Sequence, residues 1–461
     1  MRNAVVTAMI IALVCAAGID LHAQKSSSAG KIAVAPLTND AYDAISINAI
    51  VMHVSNNGSF CSRSTNGAPG FEWPKGSGRT LIYDDGLVYG GKIRGEVRVG
   101  GSTYFDGWQA GALDSAGRPT DPADPAQRIY KIRTLDRVGY SALSAAEQQR
   151  LRKDFIEWPV ALGLRYIDAN RNGAYDPDFD AWLNDSSASD RPVYLGDEFL
   201  CFFSNDMDSA RTARMSGTAP MGLEILSMVW AFATPDTLQN TVFLKHVMVN
   251  KGADTLKDFF IARWSDIDIG SWWDDYFGVD TTRDLAFGYN STPLDESYPH
   301  PPAVGIRLLQ GPVRPQEGAT ATFGFGKREG MENLPITGYM YFSDFGQNED
   351  PEPGVPRGAQ QMYNYFQSIL RNGSHLTDPR HEAGDAFRRL RRSRDADGVA
   401  PRRRSVERLQ DQSVEHRSRR HAAGRHAGSG VRIHRRAAFP HPGEHYGDAR
   451  HVGYRAARVR Q

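Results

Sequence analysis

Short apolar runs recur between turn signals from Glu198 to about Ser343, and this pattern constrains the fold more than any other feature. The runs of strand length are EFLCFFSND, GLEILSMVWAFA, TVFLKHVMVN, LKDFFIARWSDIDIG, DLAFGYN, AVGIRLLQG and TGYMYFSDFG. Runs at this spacing, without alternating helical patterns, are typical of an antiparallel β-sandwich. We therefore predict a sandwich over residues 195–375 with a short helix near 358–370. The segment NKGAD separates two runs that we expect to pair as antiparallel neighbours.

The chain before the sandwich divides into two further parts. Residues 31–140 include GRTLIYDDGLVYGGKIRGEVRVGG, where branched or aromatic residues alternate with glycine turn signals, so we expect a β-rich N-terminal module. Residues 141–194 begin with a helix, because Ser144 and Glu147 have capping-box spacing, and an acidic loop follows. The predicted fold class is therefore mostly β, with one short capped helix before the sandwich.

The acidic loop YIDANRNGAYDPDFD has the donor spacing of an EF-hand-type calcium loop in its first half. Its expected ligands are Asp168, Asn170, Asn172, Ala174 through its carbonyl, Asp176, Asp178 and Asp180. Position 12 is Phe179 instead of Glu, so Asp178 or Asp180 must supply the closing carboxylate, and Pro177 argues against a following helix. The expected ion is a structural Ca²⁺. The alternative is an Asx-rich turn whose side chains bond their own backbone.

A second acidic cluster lies beside Trp264, Trp272 and Trp273. Its members are Asp266, Asp268, Asp274, Asp275 and Asp280. Three interpretations stay open: a solvated loop with inward-packed aromatics, a second metal site, or the paired acids of a glycosidase. In the last case Asp266 and Asp275 would be the catalytic carboxylates.

Both ends of the chain differ from its middle. Arg2 and the apolar stretch AVVTAMIIALVCAAG predict a signal peptide over residues 1–23, and we expect no membrane span in the mature chain. Residues 381–461 hold 20 Arg, no Lys and 9 acidic residues, a balance of +11. This Arg-rich tail is either a disordered basic arm or, as we favour, a segment read out of frame.

Export would permit a Cys61–Cys201 disulfide, and two separate buried thiols are the alternative.

Several strings together resemble a family of large secreted proteins from bacteria that use type IX secretion. These strings include GFEWPKGSGRTLIYDDGLVYGG, EWPVALGLRYIDANRNGAYDPDFD, NDMDSARTARMSGTAPMGLEI and ARWSDIDIGSWWDDYFGVDTTRDLAFGYN, within residues 45–375. The resemblance implies export by that machinery and calcium-loop-like segments, but no reaction. Relatives usually end in a C-terminal sorting domain, whose place the basic tail takes here. Asn172 replaces the Asp usual in relatives, which should weaken calcium affinity.

These observations favour an exported, Ca²⁺-stabilised β-sandwich protein with a binding, adhesive or structural role at the outer cell surface. Its partner would be an extracellular ligand or surface polymer, and we expect no nucleic-acid partner. The alternative is an extracellular hydrolase that acts on polysaccharide. The sequence contains no HExxH, GxSxG or CxxC motif that would indicate another chemistry.

Overall fold

The structure, a computed structural model, describes residues 40–63, 67–324, 326–343 and 347–376. Over these residues the chain is mostly β, with several antiparallel sheets and few helices, so the predicted fold class is confirmed. The predictions for the signal peptide at 1–23 and for the basic tail at 381–461 concern residues outside these ranges.

The strands of the described residues are numbered in chain order. They are β1 (Tyr42–Ile45), β2 (Val51–Ser55), β3 (Phe71–Glu72), β4 (Thr80–Ile93), β5 (Glu96–Gly101), β6 (Gln109–Ala110), β7 (Tyr130–Arg133), β8 (Tyr166–Ile167), β9 (Arg191–Pro192), β10 (Glu198–Asn205), β11 (Leu223–Ala231), β12 (Phe243–Asn250), β13 (Lys257–Ile267), β14 (Asp275–Asp280), β15 (Leu285–Asn290), β16 (Ala303–Arg307), β17 (Val313–Phe323) and β18 (Gly326–Asn333). The α-helices are α1 (Thr134–Val138), α2 (Ala145–Ile156), α3 (Phe179–Asn184), α4 (Ser209–Ser216) and α5 (Pro356–Tyr365).

Two large antiparallel sheets form the sandwich. The first has the order β1-β2-β3-β4-β13, with β5 also paired to β4. The second has the order β12-β11-β10-β6, with β7 also paired to β10. Both sheets therefore combine strands from the 31–140 segment with strands from the 195–375 segment. Smaller sheets are formed by β14-β15-β16, by β17-β18 and by β8-β9.

The alternation of side chains along β10 explains how the layers are joined. Leu200 and Phe202 enter the central core, which also contains Met52 and Tyr89 from the first sheet. The intervening residues of β10 enter a second core on the opposite face of the second sheet. Because both faces of β10 are covered, its sequence EFLCFFSN is buried throughout.

Helices cover the outer faces of both sheets. Phe155 of α2 and Trp182 of α3 pack in the core outside the second sheet. Met362 and Tyr363 of α5 pack with Val88 outside the first sheet. The predicted α2 start is confirmed as a capping box: the Glu147 N–H donates to Ser144 Oγ at 3.3 Å, and the Ser144 N–H donates to Glu147 Oε2 at 2.9 Å.

The two runs on either side of NKGAD do not pair, so that prediction was wrong. Strand β12 pairs with β11 in the second sheet, whereas β13 pairs with β4 in the first. The connection crosses from one sheet to the other. The crossing lets Leu244 of β12 and Phe259 of β13 pack against the same central core from opposite sides.

Cys61 and Cys201 are buried free thiols. Cys61 lies in the central core, whereas Cys201 points to the opposite face of the second sheet. The structure therefore corresponds to the alternative of two separate thiols.

Candidate functional site

The loop after β8 folds around the carboxylate of Asp168. Its Oδ1 accepts hydrogen bonds from the backbone N–H groups of Arg171 at 2.6 Å and Asn172 at 3.2 Å, and its Oδ2 accepts from Gly173 at 2.8 Å. Gly173 has a φ of 82°, a left-handed conformation that glycine adopts without strain. The sharp turn expected at position 6 of a calcium-type loop is therefore present.

Asp176 is held by two amide side chains. Asn170 Nδ2 donates to Asp176 Oδ1 at 3.1 Å, and Asn172 Nδ2 donates to Asp176 Oδ2 at 3.0 Å. The hydrogen bond from Asn172, together with contacts from Asp190 and Asn170, lowers the pKa of Asp176. Hydrogen bonds thus link Asn170 and Asn172 to Asp176, and Asn172 to Asp168.

The carboxylates of Asp178 and Asp180 bond to groups outside the loop. Asp178 Oδ1 accepts from the Ala181 N–H at 2.9 Å and caps α3, while Asp180 forms an ion pair with Arg152. The structure does not bring these two carboxylates to the loop. The expectation that no helix follows was also wrong. Pro177 precedes the capping residue of α3, so its missing N–H and fixed φ do not interrupt the helix.

Asp190 is the carboxylate that the sequence analysis missed. It is buried next to β9, and it accepts hydrogen bonds from the N–H groups of Ala169 at 2.8 Å and Asp176 at 3.1 Å. In the described part of the chain, Asp168, Asp176 and Asp190 form no ion pair with Lys or Arg. No spacing rule indicated Asp190, because β8–β9 pairing brings it to the loop.

The loop's donors are hard oxygens, which suit Ca²⁺ in chemistry. The side-chain oxygens of Asn170 and Asn172 accept backbone N–H groups within the loop, at 3.0 Å from Asn172 and 2.8 Å from Ala174. These are Asx-turn hydrogen bonds, the alternative that the sequence left open. Over the described residues, no group of three His, Cys, Asp or Glu side chains has an arrangement that could hold a metal ion. Calcium therefore stays a prediction.

The second acidic cluster is spread along two strands. Asp266 lies on β13 and accepts a hydrogen bond from the Tyr104 hydroxyl at 2.7 Å. Asp280 lies at the far end of β14 from Asp275, about 16 Å away for five strand steps. There it accepts from the Thr282 N–H at 3.0 Å and pairs with Arg283 at 2.5 Å. Asp280 is thus a turn residue and does not lie with the others.

Asp275 has a strongly perturbed carboxyl. Its Oδ2 accepts from the Ile269 N–H at 2.8 Å, whereas its Oδ1 is buried without a hydrogen-bond partner. Burial, reinforced by the charges of Asp268, Asp274 and Asp295, raises the pKa of Asp275 to about 7. A sizeable fraction of this carboxyl is therefore protonated at neutral pH and can donate a proton.

Asp295, which the sequence analysis did not single out, ties two loops together. Its Oδ2 accepts from the Ser271 N–H at 2.9 Å, and its Oδ1 accepts from the Tyr298 N–H at 2.9 Å. Although burial raises the pKa of Asp295, these and further backbone N–H groups hold it below the usual value. Neighbouring Asp275 and Asp295 thus have pKa values shifted in opposite directions.

The three tryptophans of this region divide between core and surface. Trp264 is buried and packs edge-on against Tyr104, with ring centroids 4.7 Å apart. Trp273 is 63% exposed and contacts Trp272 edge-on, with centroids 5.8 Å apart. The inward-packed interpretation therefore holds for Trp264 but not for Trp273.

His246, on β12, lies within a polar network between the sheets. Its Nδ1 is 3.0 Å from Ser227 Oγ, and its Nε2 is 3.3 Å from Arg263, which pairs with buried Asp85. Burial, with the Arg263 charge, lowers the pKa of His246 to about 3. Because Ser227 is fully buried, this pair is structural and not a nucleophile with its base.

No helix within the described ranges is long and apolar enough to cross a membrane. Comparison with known proteins finds no matching family model, no matching curated protein and no matching solved structure.

Proposed function

We propose that the chain is an exported β-sandwich protein that binds a ligand or polymer at the outer cell surface, and that its acidic loop holds a structural Ca²⁺. Export rests on the sequence of residues 1–23. The observation that carries the calcium proposal is that Asp168 and Asp176 both accept hydrogen bonds from Asn172, while in the described part of the chain neither forms an ion pair with Lys or Arg. Like charges at such proximity repel, and a bound divalent cation offsets that repulsion.

Several residues of the loop would coordinate the ion. Asp168 and Asp176 would supply carboxylate oxygens, Asn170 and Asn172 amide oxygens, and Ala174 its carbonyl. Asp190 would orient the loop from behind through its two backbone hydrogen bonds.

The ion would stabilise the helical layer instead of acting on a substrate. Tyr175, inside the loop, donates its hydroxyl to the Phe155 carbonyl of α2 at 2.5 Å and packs in the core beneath the helices. Fixing the loop therefore also fixes α2 against the second sheet.

Calcium removal tests this proposal. Adding EDTA should lower the melting temperature of the full chain, and restoring Ca²⁺ should recover it, because a ligand that binds only the folded state stabilises it. The double variant Asp168→Ala, Asp176→Ala should melt lower and no longer respond to Ca²⁺. Asp185→Ala is the matched control, because Asp185 forms a similar turn outside the loop. A melting temperature that is insensitive to EDTA would refute a calcium site.

A hydrolase that acts on polysaccharide is the second candidate, favoured by the opposite pKa shifts of Asp275 and Asp295. Asp275 would protonate the leaving glycosidic oxygen, while an ionised carboxylate, from Asp295 or from Asp266 as the sequence predicted, would assist on the other side. Asp275→Asn should abolish glycan degradation without changing the circular dichroism spectrum, as should either Asp266→Asn or Asp295→Asn, whereas Asp280→Asn should not. Full activity in Asp275→Asn would rule out this role.

A further inference from the structure

Two bulky apolar side chains stand exposed on neighbouring loops at one end of the β14-β15-β16 sheet. Trp273 is 63% exposed and Leu294 is 73% exposed. The loops adjoin because Asp275 at the start of β14 pairs with Asn290 at the end of β15. An exposed tryptophan forgoes the large favourable free energy of burying its ring, and its open face can instead stack against a bound ligand.

The loop that carries the indole is firmly held. The Ser271 N–H donates to Asp295, and the Ser291 N–H donates to the Asp274 carbonyl at 2.8 Å. Trp272 to Asp274 form a single helical turn between these anchors. A loop backbone held in this way loses little conformational entropy when a ligand binds to it.

Acceptors for hydroxyl groups lie next to the ring. Asp274 Oδ1 accepts one long hydrogen bond from Asn290 at 3.3 Å, and no group in the described residues donates to its Oδ2. An aromatic face beside a carboxylate that can accept hydroxyl hydrogens matches the two surfaces of a sugar ring, its apolar C–H face and its equatorial hydroxyls.

The charge around the ring restricts which sugars fit. Asp274, Asp275 and Asp295 form no ion pair with Lys or Arg in the part of the chain that the structure describes. Polymers that carry carboxylate or sulfate groups would meet like charges here, whereas neutral or amino-substituted sugars would not.

We propose that Trp272, Trp273, Asp274 and Leu294, the tryptophan edge, bind a glycan that carries no acidic groups. This inference rests on the proposed surface-binding function and names its ligand class. The glycan stacks on Trp273 and donates hydroxyl hydrogens to Asp274.

Binding of the full chain to microcrystalline cellulose, chitosan and alginate, followed by sedimentation and by tryptophan fluorescence, tests the tryptophan edge. We expect binding to cellulose or chitosan but not to the polyuronate alginate. Trp273→Ala should weaken binding about tenfold, and Trp273→Tyr should retain most of it, because stacking needs an aromatic face. Phe323→Ala is the matched control, since it removes another exposed aromatic side chain far along the chain.

Each contrary result overturns this inference. These results are binding to none of the three polymers, binding that Trp273→Ala leaves unchanged, and preference for alginate. The calcium-dependent melting temperature is measured on the same samples. A melting temperature that responds to Ca²⁺ in samples that bind no glycan would reject only the glycan-binding role of the tryptophan edge. Absence of both the calcium response and glycan binding would also reject the proposed function.

Discussion

At the scale of single residues, the aspartates of this protein have distinct roles that their surroundings decide. Asp178 caps a helix, Asp295 staples two loops through backbone N–H groups, and Asp280 closes a turn beside Arg283. Asp275 differs because one of its oxygens is buried without a hydrogen-bond partner. The same side chain is thus a structural anion at three positions and a potential proton donor at the fourth.

The raised pKa of Asp275 predicts a pH-dependent stability. The carboxyl has a folded pKa of about 7 against a usual value of 3.8, so its contribution to stability is complete below about pH 4 and is lost as the pH rises through about 7. Asp275→Asn cannot ionise and should therefore flatten this part of the melting-temperature profile between pH 4 and pH 7. Thermal melts across that range measure the slope.

Asp280→Asn is the control for this measurement. Burial raises the pKa of Asp280, but hydrogen bonds from Thr282 and Arg283 and the charge of Arg283 together outweigh burial, so the pKa is lowered overall. The contribution of Asp280 to stability therefore changes only as the pH falls into the acid range. The control should keep the wild-type slope between pH 4 and pH 7. An Asp275→Asn profile as steep as that of the control would show that Asp275 does not titrate in this range.

At the scale of elements, short-range hydrogen bonds decide where the helices begin, whereas long-range contacts decide which strands pair. The capping box of α2 depends on residues three apart, and Asp178 starts α3 through a bond to Ala181. The pairing of β12 and of β13 depends instead on long-range contacts. They leave the same turn yet join different sheets, since each buries an apolar face against the central core from its own side.

At the scale of the whole molecule, each of the two large sheets combines strands from residues 40–133 with strands from residues 198–267. Strand β13 has β4 as its partner, and β6 and β7 from the early part of the chain pair with the edge of β10 that faces away from β11. Removing residues 40–194 would expose one edge of each strand and open the central core to water.

A truncation tests this arrangement. A fragment covering residues 195–376 should fail to fold, with no cooperative thermal transition by circular dichroism and rapid proteolysis, because β10 and β13 lose their partners. A chain covering residues 40–376 should melt in one transition and resist the protease. A cooperative transition in the shorter fragment would instead mean that the sandwich forms without the N-terminal strands.

The sequence by itself determined what depends on near neighbours. Alternating apolar runs predicted the β class, and residues three apart predicted the cap of α2. The loop spacing named Asp168 and Asp176, but it also named Asp178 and Asp180, whose carboxylates contact α3 and Arg152 instead. These features need only local backbone geometry and hydrogen bonds within a few residues.

Only the tertiary structure decided which strands pair and which distant carboxylates join a site. The β4–β13 pair, the crossing between β12 and β13, and the positions of Asp190 and Asp295 all depend on contacts between residues far apart in the chain. Any apolar run can pair with many others, so its partner is selected by burial in a shared core and not by its own pattern.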